Sequence, residues 1–243
     1  MGQQNLNEYF TDLLQKVDLQ IQDFEDNNND PFSLCKQVID YLQEIIGELK
    51  AFIISYSFTS KEEEIYFFKE QKPIIASKII YYNTVYQFEL RFPNGSEETQ
   101  KEFIMAETDR ILAHFQRNIS FYQYYRTKAT YLDHKYFLRG KPDIHILIDN
   151  FYYEADPQFS TSYDYKVAKI LAIELFAIYL TNRLNELERR FQRQQVKNGN
   201  IKKLLRWTGT KRALVELIYA LYTNGDFNKG TVDIKDIVSC FED

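Results

Sequence analysis

The chain has 243 residues, 44% hydrophobic and 16% aromatic, with 19 Tyr and 19 Phe beside one Trp, and a formal net charge of −5. That length holds one large domain, or one domain with a small appendage, and the ring content calls for a core whose edge displays hydrogen-bonding hydroxyls. Cys35 and Cys240 stand far apart, which excludes a disulfide framework and zinc-like spacing, while the lack of a basic-then-apolar start or of a long apolar window predicts a soluble, cytoplasmic chain without membrane association.

Only five Pro and eight Gly interrupt the chain, which favours long helices. Leu6, Phe10, Leu13, Val17 and Phe24 step by fours and threes, with Gln20 interrupting, and predict an amphipathic helix that ends at Asn27-Asn28-Asn29. Asp30 as N-cap and Pro31 in the first turn start a second helix, whose Val38, Leu42, Ile45, Leu49, Phe52 and Tyr56 keep a near-heptad pattern. The two are expected to pack antiparallel.

Pro73 is expected to open a central helix with two apolar stripes, Ile75, Ile79, Tyr82 and Tyr86 on one and Tyr81, Val85, Phe88 and Phe92 on the other. After Pro93-Asn94-Gly95, Ser96 offers an N-cap and Glu97 and Glu98 suit a first turn, and the helical pattern runs on through Ile104, Ile111, Phe115, Ile119 and Tyr122.

Residues 126–161 lose this periodicity. Gly140, Pro142 and Pro157 break the stretch, and Asp143 to Asp149 is the only window compatible with a short strand. An ordered, aromatic-pinned loop is expected. Asp133, His134, Asp143 and His145 form the polar cluster in which metal or proton chemistry would be sought, yet neighbours on a helix point about 100° apart and no spacing forces the four together. The preferred account is hydrogen bonding that pins the loop, with Arg126, Arg139 and Lys141 as charge partners of Asp133, Asp143 and Asp156. No Gly-rich phosphate loop, nucleophile elbow, paired metal-ligand motif or kinase signature occurs. The expectation is a non-enzyme with no catalytic residue, metal or cofactor.

From about Ser162 a helix returns on two faces: Val167, Ile170, Leu171, Leu175 and Ile178 on one, and Ile173, Phe176, Leu180, Leu184, Leu187 and Phe191 on the other. Only the second continues past Tyr179, as Arg183, Arg189, Arg190 and Arg193 appear, and a break falls near Asn198-Gly199-Asn200. Residues 183–212 carry ten Lys or Arg against two acidic residues, and residues 1–182 are left with −9. Alone, such a run reads as a solvated helix end and charged linker. Placed before two short amphipathic helices, it points to nucleic acid, because phosphate backbones respond to a clustered field.

The first of those helices places Leu214, Leu217, Ile218, Leu221 and Tyr222 on one face, with Thr208 or Thr210 as cap and Gly225 as terminator. The second follows Gly230 and an Asp233 cap, with Ile234, Ile237, Val238 and Phe241 at helical spacing. Two such faces need a third partner, which a helix-turn-helix or winged-helix unit supplies. The fold class is therefore all-α: an N-terminal helical bundle, 1–197, with the insertion 126–161, and a partial winged-helix-like DNA-binding module, 198–243. Candidate phosphate contacts are Arg193, Lys197, Lys202, Lys203, Arg206, Lys211, Arg212, Lys229 and Lys235. Trp207 is expected to anchor the first tail helix rather than to stack on bases.

The runs Tyr124-Tyr125-Arg126-Thr127, Tyr131-Leu132-Asp133-His134-Lys135-Tyr136-Phe137-Leu138-Arg139-Gly140-Lys141, Phe151-Tyr152-Tyr153-Glu154-Ala155-Asp156 and Asp164 to Ala172 strongly resemble RteC proteins. So does Trp207-Thr208-Gly209-Thr210-Lys211 leading into Val215 to Leu221, and with the helical front half the resemblance spans essentially the whole chain. It implies a transcriptional regulator of excision genes in conjugative transposons, with double-stranded promoter DNA as partner and a C-terminal winged-helix-like domain that continues beyond Asp243. A homo-oligomer or a regulatory protein are the other partners considered. The alternative reading is a non-catalytic helical protein-interaction module without DNA binding.

Overall fold

A computed structural model describes residues 5–28, 30–140, 156–197, 207–239 and 241, and within these ten α-helices and no strand occur. The chain divides into two compact units, 1–190 and 191–243. The expected boundary at 197/198 borders residues 198–206, which lie outside the described residues.

Helix α1 (Leu6–Asn27) starts where the Asn5 side chain accepts the Asn7 N–H at 2.9 Å. It buries Leu6, Phe10, Leu13, Val17 and Ile21. Ile21, rather than the expected Phe24, completes the seam, because it lies one turn beyond Val17, and the Phe24 ring instead meets Tyr41 edge-on. Helix α2 (Pro31–Ser55) begins as its sequence predicts: Asp30 accepts from the Ser33 N–H at 2.9 Å and the Ser33 hydroxyl at 2.7 Å. Those bonds to its charged form hold the Asp30 carboxyl below the usual carboxylate range. The antiparallel register is fixed by four contacts, in which Asn28 reaches Gln37, Phe24 meets Tyr41, Lys16 faces Glu48 and Tyr9 stacks on Phe52.

Pro73 lies in the first turn of the central helix, as expected, but the helical run begins earlier in the chain. Helix α3 (Lys61–Tyr66), capped by Ser60, runs through a π-helical turn at Phe67–Gln71 into α4 (Lys72–Arg91). Proline in a regular helix lacks its N–H and its ring strikes the carbonyl four residues back. The wider π turn just before Pro73 relieves both problems, which periodicity alone does not reveal. Phe67, Phe68, Ile75, Tyr82, Val85 and Phe88 are buried, and α4 packs most extensively against α2.

The helix expected from Ser96 through Tyr122 is two helices, α5 (Glu97–Arg117) and α6 (Ile119–Arg126). Asn118 breaks it: its side-chain amide donates to the His114 carbonyl at 3.0 Å, which competes with the regular ladder. The Ser96 cap is as expected, accepting from the Thr99 N–H at 3.3 Å.

The expected partners of the 126–161 loop are replaced by others. Lys69, in the π turn, donates to Asp133 and to the Ala129 carbonyl, both at 2.8 Å, and Tyr124 donates its hydroxyl to the same carboxylate. Lys72, three residues on, donates to Asp164 and to the Phe159 carbonyl. Lys69 of the π turn and Lys72, the first residue of α4, thus pin both ends of the irregular stretch through buried ion pairs. Arg139 binds Glu64 at 2.6 Å, Asp156 pairs with Lys50 at 2.9 Å, and Arg126 donates to the Tyr122 hydroxyl at 2.8 Å. The aromatic pinning itself is present: Tyr136 stacks on Tyr163 at 3.7 Å and meets Tyr124 edge-on. A short helix, α7 (Asp133–Tyr136), lies within the loop. Lys141, Asp143 and His145, and the Asp143–Asp149 window, lie outside the described residues.

Helix α8 (Asp164–Lys197) buries Val167, Ala168, Ile170, Ala172, Phe176, Leu180 and Leu187. Leu175 and Ile178, expected on a packed face, are 40% and 60% exposed, because the first stripe turns to solvent after Ile170. Arg183 is not part of an open basic surface: its guanidinium binds Glu89 at 3.0 and 3.3 Å, over the Phe92 ring, and Tyr179 donates to the same carboxylate.

Candidate nucleic-acid interface

The second unit is built from two helices and an unusual connector. Thr210 is the cap used by helix α9 (Lys211–Asn224): its hydroxyl accepts the Ala213 N–H at 3.2 Å. Trp207 acts on that same start, as its indole N–H donates to the Thr210 carbonyl at 3.1 Å. The ring lies over Gly209, where a Cβ would come within 2.9 Å of it, so the Trp-Thr-Gly-Thr run is one folded cap. Trp207 remains 46% exposed, and it fastens the helix start through its N–H as well as its ring.

Gly225 ends α9 in the left-handed conformation, φ 71°. Its N–H bonds the Tyr222 carbonyl at 3.1 Å and the Asp226 N–H bonds the Leu221 carbonyl at 3.2 Å, the paired pattern of a Schellman motif. Asn228 and Gly230 are also left-handed, at φ 45° and 82°. Gly225 and Gly230 close on each other, since a Cβ on the first would lie 3.3 Å from the second's Cα. Helix α10 (Ile234–Ser239) follows, with the Asp233 carbonyl accepting from the Asp236 and Ile237 N–H groups. Phe241, expected to continue this helix, lies past its end.

Burial here is slight: Ile218 of α9 and Ile237 of α10 are the buried hydrophobics among the unit's described residues. Between the helices lies an open groove of about 570 Å³, walled by Leu214, Ile218, Ile234 and Val238, with Lys211 and Lys235 on its rim.

Of the predicted cations, Lys211 and Arg212 occupy the first two positions of α9, and both are exposed, as is Lys235. The side chains of Arg193, Lys197 and Lys229, and residues Lys202, Lys203 and Arg206, lie outside the described residues. Cations in a first turn oppose the helix macrodipole, each by about 0.3–1 kcal/mol. Arg212 offsets part of this by pairing with Glu216 at 3.0 Å, a solvent-exposed contact worth about 0.3–0.5 kcal/mol. The first turn of α9 holds no acidic residue. Exposed cations beside the backbone N–H groups of a helix start favour anions there. Composition gave no sign of it; the signal was the Thr210 cap read together with Lys211 and Arg212. Among the described residues no cluster of three or more His, Cys, Asp or Glu is placed to hold a metal ion, and no helix is long and apolar enough to cross a membrane.

Fold and site together define an all-helical protein with a large body and a small terminal unit whose leading helix presents cations. A family model described as RteC protein matches residues 66–243, so the chain belongs to the RteC family. The match begins at Tyr66, which leaves α1 and α2 outside it and narrows the whole-chain resemblance expected from sequence. No curated protein and no solved structure matches the chain. The motifs that carry the resemblance contain Tyr124, Asp133 and Asp164 of the buried pins and the Trp207–Thr210 cap.

Proposed function

We propose that this protein is a non-catalytic, DNA-binding regulator of transcription that controls excision and transfer genes of a conjugative transposon, from the cytoplasm. The observation that carries the reading is the pair Lys211 and Arg212 in the first turn of α9, against the helix dipole, in a chain of the RteC family. Their role is phosphate contact, together with Lys235 and the basic approach of residues 189–212. Such contacts supply affinity and salt dependence without sequence discrimination. The two helices with their connector act as part of a winged-helix-like unit. The nine residues 225–233 between them exceed the turn of about 3–4 residues found in a simple helix-turn-helix, which favours the winged variant.

The competing reading, a helical protein-interaction module without DNA binding, draws on the open apolar groove between α9 and α10. Gel-shift titration over a range of salt, with excision-promoter and random duplexes, separates the two. The regulator reading expects salt-sensitive binding whose log–log slope flattens by about 0.9 for each true phosphate contact removed in Lys211→Gln, Arg212→Gln and Lys235→Gln. Absence of salt-sensitive association with either duplex rejects it in favour of the interaction module.

A further inference from the structure

Exposed apolar side chains of the second unit are gathered rather than scattered. Val215 and Tyr219 of α9 and Phe241 past α10 are 44%, 58% and 40% exposed, and all three line the open groove of about 570 Å³. Single exposed hydrophobics are ordinary on a protein surface, whereas a contiguous apolar groove marks a binding face.

The walls have the geometry of a helix receptor. On α9 the lining residues Lys211, Leu214, Val215 and Ile218 stand at offsets 0, 3, 4 and 7, and on α10 Ile234 and Val238 stand one turn apart, with Phe241 past the helix end. Helix-in-groove recognition reads such rows through anchors at the same spacing. From Lys211 to Tyr219 the α9 wall rises about 12 Å, at about 1.5 Å per residue, which matches roughly two turns of a partner helix.

Charge decides which helix fits. Lys211 and Lys235 stand on the rim, both exposed, and no acidic residue is among the described residues that line the groove. Glu216, the neighbour of Val215, is engaged by Arg212 at 3.0 Å. A helix bearing Asp or Glu beside its apolar stripe therefore meets opposite charge at the rim, and one bearing Lys or Arg meets like charge. The same rule disfavours a second copy of this chain. Set groove against groove, two copies bring four lysines around one apolar seam, with no acidic lining residue among those described to offset them. The acidic helix α1 of another copy is no better placed, since its apolar seam is already buried in its own body.

We infer that the groove between α9 and α10 docks an acidic amphipathic helix of about two to three turns, carried by a partner protein. The apolar stripe of that helix sits on Leu214, Val215, Ile218 and Val238, and its carboxylates reach Lys211 and Lys235. The inference goes beyond the DNA-binding reading and does not depend on it. A chain that binds no duplex still binds the helix, and a chain that binds duplex but no helix refutes this inference alone. Where the DNA-binding reading also holds, helix and duplex compete for the two lysines, and the partner lowers the affinity for DNA.

Fluorescence anisotropy with the full chain tests it, using a labelled peptide of about 14 residues with Leu at positions i, i+3, i+4 and i+7 and Glu and Ala elsewhere. The controls are the same peptide with Lys in place of Glu, and a scramble of the same composition that has no apolar face. Saturable binding of the acidic peptide, about tenfold or more tighter than either control, is expected. Val215→Ala with Tyr219→Ala should weaken it by about tenfold or more, and Lys211→Gln with Lys235→Gln should narrow the preference for Glu over Lys. All four positions are exposed and alanine favours the helix, so both pairs should fold; circular dichroism melts verify this, and should one pair fail to fold, the other carries the test. Absence of saturable binding, equal binding of either control peptide, or binding undiminished in the folded alanine pair overturns the inference. Sedimentation showing self-association that the alanine pair abolishes assigns the groove to a second copy and overturns it as well.

Discussion

The two units solve the same problem with opposite means. The body closes on itself: its long-range ion pairs Lys69–Asp133 and Lys72–Asp164 are buried, and Phe67, Phe68, Phe88 and Phe137 are fully enclosed. The C-terminal unit relies on local devices, a Thr210 cap, a Schellman end at Gly225 and a connector with three left-handed residues, with Ile218 and Ile237 as its buried hydrophobics among the described residues. Caps and turns contribute about 1 kcal/mol apiece, far below what a packed core supplies. The contrast teaches that the body is stable by enclosure, whereas the small unit is held by local caps and turns around two buried side chains.

The largest test of the contrast lies in the pins. Lys69→Met strands the Asp133 carboxylate in the interior and is expected to cost about 3–5 kcal/mol in chemical denaturation of the body. The double replacement Lys69→Met with Asp133→Leu removes both charges and is expected to recover most of that loss. A single substitution as mild as a surface change would show that the pair is solvated.

Ile218→Ala comes next, with a local loss of about 2 kcal/mol, the low end for such truncations because its groove is open. Hydrogen exchange should report the loss in α9 and α10 while the melting of the body stays in place. A matching drop in the body would show the two units to be one cooperative fold.

Gly225→Ala should cost about 1–2 kcal/mol, again confined to the small unit, because φ 71° disfavours any Cβ and the Gly230 Cα stands 3.3 Å from where one would sit. Circular dichroism of a peptide spanning residues 207–241, compared with its alanine variant, is not the measurement of choice; exchange in the full chain keeps the comparison with the body.

The smallest effect belongs to Cys35. Burial, with Glu89 and Asp30 nearby, pushes its thiol up to about 11. The unfolded thiol ionises near its ordinary value and the folded one does not, so the contribution is fully present below that value and is lost as pH rises from about 9 toward 11. Melting temperatures of the protein and of Cys35→Ala should run parallel at neutral pH, and that of the protein should fall more steeply across this alkaline window. Parallel curves throughout would mean that the thiol is hydrated.

Much of the architecture was legible from sequence because its determinants are local. A capping side chain acts on N–H groups two or three residues away, so Asp30, Ser96, Thr210 and Gly225 announce their helix ends without reference to the rest of the chain. The basic run and the apolar faces of α9 and α10 are of the same kind. The π turn before Pro73 and the break at Asn118 were not legible, since a regular period fits both stretches until packing decides where it yields. Nor were the pins: Lys69 meets Asp133 across 64 positions and Lys72 meets Asp164 across 92, and such pairs form only when the fold excludes water from both ends at once. The neighbourhood of His114 and Lys169 belongs with them, as the two line one cleft only when α5 and α8 come together. Local sequence determined where the helices begin and end and which faces are apolar; tertiary structure alone decided which charges are enclosed and which converge, because desolvation and field strength depend on neighbours that the chain order does not name.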